Sequence, residues 1–399
     1  MKLISFLGRA PKDTAGYRQT TYEFTDGSKS QPVSYIGWPL IERLKPESMV
    51  ILGTEGSMWD HLFDSIECSL DEDLHLELLA LVDNKSVSQE FLGQLQQRFI
   101  EKLGIACELV IIPYGKDMNE QIQIMEIIAQ FVSEEDNVVL DVTHGFRHLP
   151  MLGLISAQYL QRLKNAKIQG IYYGMYDPDL KIGEVYDLQG MLQLNNWVFA
   201  LSQFDKDGDY SVFSEPLALD GFSSTGINSL KKAAYFERIF NVSQAKQQLS
   251  TFNLQLTNDL PGAGKLFTKP LKDRVAWAKS NTLYKHQCKL AQFYLNNGDY
   301  VRACIFALEA FNTSLLKPNE IDQQQNFSIR KQAALDYKDN PNSDRGDRNL
   351  LNDYEYLSRI RNALAHGTEP NSAIGRAMKD SDIFTKTLRE LFNKLGIKP

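Results

Sequence analysis

The sequence predicts a doubly wound α/β domain with a mostly parallel sheet, followed by an all-α helical bundle. Three observations carry this. Through residues 1–190 short apolar runs alternate with stretches of helical periodicity, the pattern of repeated strand–helix units. From Lys269 onward the apolar spacing is helical throughout. Between them, Val138-Val139-Leu140 runs into Asp141-Val142-Thr143-His144-Gly145-Phe146-Arg147-His148, and Pro150 opens a helix at once. Pro suits a first helical turn, where its missing N–H costs nothing.

Taken in order, the strand runs are Leu3–Leu7, Met49–Leu52, Leu76–Val82, Cys107–Ile112, Val138–Leu140 and Ile168–Tyr173. Helical spacing is clearest at Asn119–Val132 and Pro150–Leu163. Tyr176-Asp177-Pro178 and the stretch Lys181–Asp187 predict a closing hairpin. A helical connecting region follows over residues 191–265, broken at Asp205–Asp209 and at Asp220-Gly221-Phe222. Residues 266–399 form the bundle. Ala291–Tyr294, Gly298-Asp299 and Ala303–Phe311 describe two helices around a tight turn, 341–348 a polar loop, then a helix from Leu350 to His366 stopped by Gly367. A last helix covers Ile374–Lys394.

In doubly wound sheets, ligands gather at the carboxyl ends of the strands. Four of those ends share one chemistry: Gly8-Arg9 with Lys12; Gly53-Thr54-Glu55-Gly56-Ser57; Pro113-Tyr114-Gly115-Lys116; and Thr143-His144-Gly145 with Arg147. Small, hydroxyl and cationic residues at a helix N-terminus, where backbone N–H groups lack partners, suit a phosphate-rich ligand. A plain capped strand–helix turn is the simpler reading of the Thr143 turn alone.

Composition bounds the possibilities. Of 399 residues 43% are hydrophobic, enough for two or three domain cores. No apolar run approaches the ~20 residues of a membrane span, and the early Lys2 and Arg9 argue against a signal peptide. Cys68, Cys107, Cys288 and Cys304 form no CxxC pair, so neither a zinc site nor a disulfide framework is suggested and a cytoplasmic protein is expected. The net charge is −7, but it is divided: residues 1–264 hold 21 Lys and Arg against 35 Asp and Glu, and residues 265–399 hold 22 against 15. The basic C-terminal third suits a polyanion, or an ordinary solvated helix surface.

That third carries Arg359-Ile360-Arg361-Asn362-Ala363-Leu364-Ala365-His366-Gly367. RNA can be cut without metal when its 2′-hydroxyl attacks the adjacent phosphate. The reaction needs an acid–base group titrating near neutrality and a cation against the developing charge. His366 and Arg361 are of those types, with Asn362 four residues from His366 and Arg359 seven. On a regular helix Arg361 and His366, five apart, are about 140° from one another. Either the helix frays at Gly367 or a twofold copy completes the site. An ordinary basic helix C-terminus with a glycine cap is the alternative.

Asp141-Val142-Thr143-His144-Gly145 matches the D-x-T-H-G signature of CRISPR-associated Rossmann-fold (CARF) domains, and Arg361-Asn362-x-x-x-His366 matches the HEPN ribonuclease motif. Their order, with Ser5-Phe6-Leu7-Gly8 as first strand, resembles the type III CRISPR ancillary ribonucleases. The resemblance implies a Rossmann-like CARF domain over 1–190 and a HEPN domain over 266–399. It implies an endoribonuclease switched on by cyclic oligoadenylate, acting on single-stranded RNA as a homodimer or higher oligomer, with no other cofactor, no metal and no membrane. Carried over, Gly8, Arg9, Thr143, His144 and Gly145 line the ligand site, joined on the strand ends by Thr54, Gly115, Lys116 and Arg147; Arg361 and His366 are catalytic, with Asn362 in support. Arg9 departs from the pattern, since related proteins commonly have a small residue there.

Other motifs carry less. Pro261–Leu266 imitates a P-loop but has Asp259 and Leu266 where Gly and Ser/Thr belong. The acidic run Asp205–Asp209 lacks the distal Glu of a calcium loop. Asp60-His61 is an isolated dipeptide, and His144 with His148 makes a doubtful metal pair across a turn. Two rival functions remain: a ligand-sensing regulator or RNA-binding adaptor with a catalytically silent helical domain, and a dinucleotide-dependent enzyme, which the missing GxGxxG disfavours.

Overall fold

The parallel sheet follows from strands that are apolar on both faces. In β1 (Lys2–Leu7) every residue after Lys2 is buried, and the same holds for β5 (Ser48–Gly53) after Ser48. The structure, a computed structural model, describes residues 1–13, 16–146, 148–256, 258–339, 345–368 and 373–398, and these fall into two compact units, Met1–Leu192 and Gln193–Pro399.

The first unit also holds β2 (Lys12–Asp13) and β3 (Gly16–Tyr17), a small separate hairpin, and β4 (Thr21–Glu23), β6 (Ala106–Ile111), β7 (Asn137–Asp141), β8 (Lys167–Asp177) and β9 (Ile182–Asp187). Among the described residues the main sheet runs β4-β9-β8-β7-β1-β5-β6. Strands β8, β7, β1, β5 and β6 are mutually parallel, and β9 returns antiparallel to β8 as the predicted hairpin. Helices α1 (Gly37–Leu44), α2 (Trp59–Ser65), α3 (Glu72–Asn84), α4 (Gln89–Leu103), α5 (Met118–Gln130) and α6 (Leu149–Leu163) complete the unit. One apolar core gathers Leu3, Trp59, Leu78 and Phe99; another gathers Phe6, Ile124, Leu140 and Ala157. From β1 the chain proceeds outward through β5 to β6, then returns to β7 on the other flank of β1. The crevice at the ends of β1 and β7 is therefore the switch point where ligands of such sheets bind.

Two expectations are corrected. Leu76–Val82 is not a strand but part of α3: Leu78 and Val82, four apart, share the buried face, while Leu76 is exposed and Glu72 and Asp73 sit favourably in the first turn. Ile374–Lys394 is not one helix. The Asp380 carboxylate accepts from the N–H groups of Asp382 and Ile383, both at 2.9 Å, and so starts a new helix after a break.

The second unit is helical: α7 (Gln189–Asp207, entering from the first), α8 (Ser214–Leu219), α9 (Ser224–Arg238), α10 (Val242–Gln255), α11 (Thr268–Arg274), α12 (Leu283–Asn296), α13 (Tyr300–Ser314), α14 (Phe327–Asp339), α15 (Arg345–His366), α16 (Ala373–Met378) and α17 (Ser381–Lys394). The helix expected from Leu350 thus begins at Arg345, inside the expected polar loop, of which 341–344 lie outside the described residues. Trp197, Phe204 and Phe252, from the segment expected to connect, share one core with Phe306, Leu357 and Phe392. The P-loop-like turn is held by a carboxylate from within its own unit. Asp220 Oδ2 accepts from Gly264 N at 2.6 Å and from Trp197 Nε1 at 2.7 Å. The acidic run is a helix end and turn, where Asp209 accepts from Ser211 N at 2.8 Å.

Candidate functional site

The site in the first unit is built on a buried carboxylate. Asp141, the last residue of β7, is completely buried, and burial pushes its carboxyl up to about 6. Its Oδ2 accepts from Ser5 Oγ at 2.5 Å, which accepts from Tyr35 Oη at 2.5 Å, and its Oδ1 accepts from Thr143 N at 2.9 Å. Asp141 thereby folds the turn that follows it. Thr143 Oγ1 accepts from Gly174 N at 2.9 Å, fixing the turn to β8.

His144 turns inward. Its Nε2 accepts from Ile36 N at 3.3 Å, with Tyr22 Oη 3.4 Å away. Accepting from an amide requires Nε2 to be unprotonated, so the neutral ring carries its proton on Nδ1. Burial, with Arg18 nearby, lowers its pKa to about 4. His148 Nε2 donates to the Tyr114 carbonyl at 2.7 Å. Both Nε2 atoms are engaged by protein, and among the described residues there is no group of three or more His, Cys, Asp or Glu side chains placed to hold a metal ion.

At the switch point the two glycines make room. A Cβ on Gly8 would collide with the Gly145 amide nitrogen and lie 3.0 Å from its Cα, and Gly145 has φ +119°, which side chains disfavour. A cavity of about 370 Å³ opens there, lined by Gly8, Arg9, Thr54 and Gly145 among the expected residues. Thr54 is held by Ser57, whose Oγ accepts from Thr54 N at 2.9 Å and donates to the Leu7 carbonyl at 2.6 Å.

Not every expected residue lines this cavity. Thr143 and His144 shape the turn beneath it. Gly115 is buried beside it, where a Cβ would stand 2.9 Å from His148 Nε2, and Lys116 Nζ lies 4.8 Å from the Tyr114 ring centre. Arg147 lies outside the described residues. The cavity adds Gly56, Ser57, Lys85, Tyr114 and Phe146. Phe146 is half exposed, 5.7 Å from the Tyr114 ring and stacked on His148 at 5.9 Å. Exposed aromatic faces beside such a crevice can stack a base. The sequence signal for Phe146 was its place directly after the signature. Lys85 was hidden by reading α3 as a strand.

Arg9 Nη2 is 3.0 Å from Asp83 Oδ1. Asp60 anchors the β2–β3 side of the unit. It accepts from Tyr17 Oη at 2.9 Å and pairs with Lys12 Nζ at 3.5 Å.

In the second unit α15 stays helical through His366. Gly367 takes φ +61° and Thr368 N donates to the Ala363 carbonyl at 3.1 Å, a glycine-terminated helix end with no fraying before it. Arg361 and His366 therefore stand on different faces. Arg361 is half-buried, its Nε buried without a hydrogen-bond partner among the described residues, and its charge acts on the neighbouring Tyr354 and Cys304. Asn362 and His366 are exposed, and Arg359 pairs with Glu355 at 3.4 Å on the surface. A single copy does not bring the Arg361 guanidinium and the His366 imidazole onto one face.

Residues 2–178 match the sequence profile of the CARF domain of the CRISPR system endoribonuclease Csx1. Over 402 aligned residues the chain is 24% identical to the CRISPR-associated protein MJ1674 of Methanocaldococcus jannaschii, across 91% of this chain and 62% of that protein. The chain thus spans less than two thirds of that relative's length. No helix among the described residues is long and apolar enough to cross a membrane. With the mostly parallel sheet and the glycine-lined crevice at its switch point, these similarities support a CRISPR-associated protein that carries a CARF domain.

Proposed function

We propose that the chain is a cyclic-oligoadenylate-activated, metal-independent endoribonuclease of type III CRISPR defence, acting as a homodimer. The observation that carries the sensing half is the switch-point cavity, where Gly8 and Gly145 bare the backbone beside hydroxyl, cationic and aromatic side chains. Such a lining suits a ligand of alternating phosphates and bases. Gly8, Arg9, Thr54 and Gly145 line the cavity that holds it, Gly115, Lys116, Thr143 and His144 contribute around or beneath, and Arg147 is proposed to add a cationic contact.

The cutting half rests on α15. In a twofold pairing of helical units, Arg361 of one copy faces His366 of the other. The RNA 2′-hydroxyl attacks the adjacent phosphorus, His366 moves the proton, Arg361 holds the charge of the phosphorane, and Asn362 orients the strand. The 5′-oxygen leaves, and the product carries a 2′,3′-cyclic phosphate. Incubation of purified protein with a fluorescent single-stranded RNA, with and without cyclic tetra- or hexa-adenylate in excess EDTA, tests this. Ligand-dependent cutting is expected.

One observation favours a second reading. Because α15 runs unfrayed through His366, one copy lacks an assembled Arg–His pair, and a chain that never pairs in this way would be a ligand-sensing regulator or RNA-binding adaptor. Specific RNA binding that responds to cyclic oligoadenylate without cleavage would select it.

A further inference from the structure

Two cations line the switch-point cavity, Arg9 and Lys85, and their situations differ. Arg9 is already engaged: Nη2 pairs with Asp83 Oδ1 at 3.0 Å and Nη1 reaches the Val82 carbonyl at 3.5 Å. Lys12, behind it, shares the same Asp83 oxygen at 3.9 Å and also pairs with Asp60. Among the described residues Lys85 makes no ion pair. It terminates α3 with φ +55°, its N–H donating to Val82, and its aliphatic stem crosses Gly56, where a Cβ would lie 2.8 Å from Lys85 Cγ. Val87 N donates to the Glu55 carbonyl at 3.4 Å, so the loop bearing Lys85 is laced to the turn that follows β5.

An uncompensated ammonium gains a full charge-assisted bond from an arriving phosphate, whereas a guanidinium held by a carboxylate must share or surrender its partner. We propose that Lys85 takes the phosphate charge of the ligand in this cavity, and that Arg9, through Asp83 two residues away, is a positioning residue that holds Lys85 in place. This rests on the reading of the cavity as a site for a phosphodiester ligand. It divides the labour between two cations of which the sequence suggested only Arg9. The narrow stem path over Gly56 adds a consequence: a side chain at position 56 displaces Lys85 without touching its charge.

The test is calorimetric titration of the full-length protein with cyclic tetra- and hexa-adenylate over a range of salt concentrations. Lys85→Met keeps the stem and removes the charge. It is expected to weaken binding at least about tenfold, the worth of one hydrogen bond to a charged group. It should also flatten the slope of log Kd against log salt by about 0.7, one phosphate contact. Lys85→Arg restores most of the slope, Gly56→Ala weakens binding and loses part of the slope, and Arg9→Met weakens binding less than Lys85→Met and keeps more of the slope than Lys85→Met does. Should Lys85→Met fold poorly, Lys85→Gly serves, because glycine suits the left-handed backbone there and its melting temperature is expected to stay level or rise. Unchanged affinity and slope in Lys85→Met, or a larger slope loss in Arg9→Met, overturns the assignment while leaving the cavity's reading intact. Failure of the unaltered protein to bind either ring overturns both.

Discussion

Gly8 and Gly145 meet backbone to backbone at the switch point, so closely that a Cβ on Gly8 would overlap the Gly145 amide. This apposition joins the ends of β1 and β7 and leaves the crevice beside them open to a ligand. Gly8→Ala has nowhere to relax except by parting the two strand ends. It is expected to cost about 1–3 kcal/mol of stability, the usual toll of overpacking, and to remove cyclic-oligoadenylate binding. Thermal unfolding and calorimetry check both; a well-folded Gly8→Ala that binds normally would contradict the geometry.

Phe146 offers its ring to the crevice while half exposed, so its side chain contributes little to the fold. Phe146→Ala is expected to leave the melting temperature nearly unchanged and to weaken ligand binding by about tenfold, within the 1–3 kcal/mol of one stacked base. Phe146→Trp should retain binding. Equal affinity in all three proteins would remove the stacking role.

Asp141 and His144 titrate in opposing senses. Burial raises the Asp141 carboxyl to about 6 from an ordinary value near 4, so between those pH values the native state holds a proton that the unfolded chain has lost. Its contribution is full below about pH 4 and is lost as pH rises through 6, on the order of 3 kcal/mol at most. Burial lowers His144 to about 4 from 6.5, so there the unfolded chain binds the extra proton and stability rises with pH across the same window. Relative to the unaltered protein, Asp141→Asn should therefore gain stability from pH 4.5 to 6.5, and His144→Gln should lose it. Urea denaturation at the two pH values checks the signs. Parallel profiles for all three proteins would contradict the assigned burial effects.

The sheet was legible because its strands are buried on both faces and read as continuous apolar runs, as Val138–Leu140 shows. Leu76–Val82 is likewise dense in apolar residues, yet only Leu78 and Val82 are fully buried, with Leu81 packed partly against the same core; a dense apolar run does not distinguish a strand from a helix until its neighbours are known. That ambiguity concealed Lys85, since a loop ending at the crevice is invisible when the preceding helix is read as a strand. The signature residues were legible as a group but not in their separate roles. Thr143 and His144 look like ligand contacts in one dimension, while the fold ties Thr143 to Gly174 of β8 and directs His144 inward, toward Ile36. The break at Asp380 was missed because an Asp within an apolar helical pattern signals a cap only when the preceding turn has ended.

His366 is exposed at the end of α15, so His366→Ala should alter stability by less than about 0.5 kcal/mol. Its removal is expected to lower RNA cleavage by about 10²–10⁴-fold, the usual share of a general acid–base group. Arg361→Ala should be comparably inactive and, being half-buried beside Tyr354, somewhat less stable. Both should bind cyclic oligoadenylate as the unaltered protein does. Single-turnover cleavage assays and calorimetry separate these effects, and robust cutting by His366→Ala would assign the chemistry elsewhere.

Mixing the two inactive chains gives the most direct measurement of the central claim, that two copies share one RNA-cutting groove under control of the switch-point cavity. Arg361→Ala and His366→Ala proteins, each inert, are combined with fluorescent RNA, cyclic oligoadenylate and EDTA. A groove built from Arg361 of one copy and His366 of the other predicts that the mixture regains cleavage, ligand-dependent and ending in 2′,3′-cyclic phosphate. No cleavage by the mixture, or by the unaltered protein under the same conditions, would contradict the account.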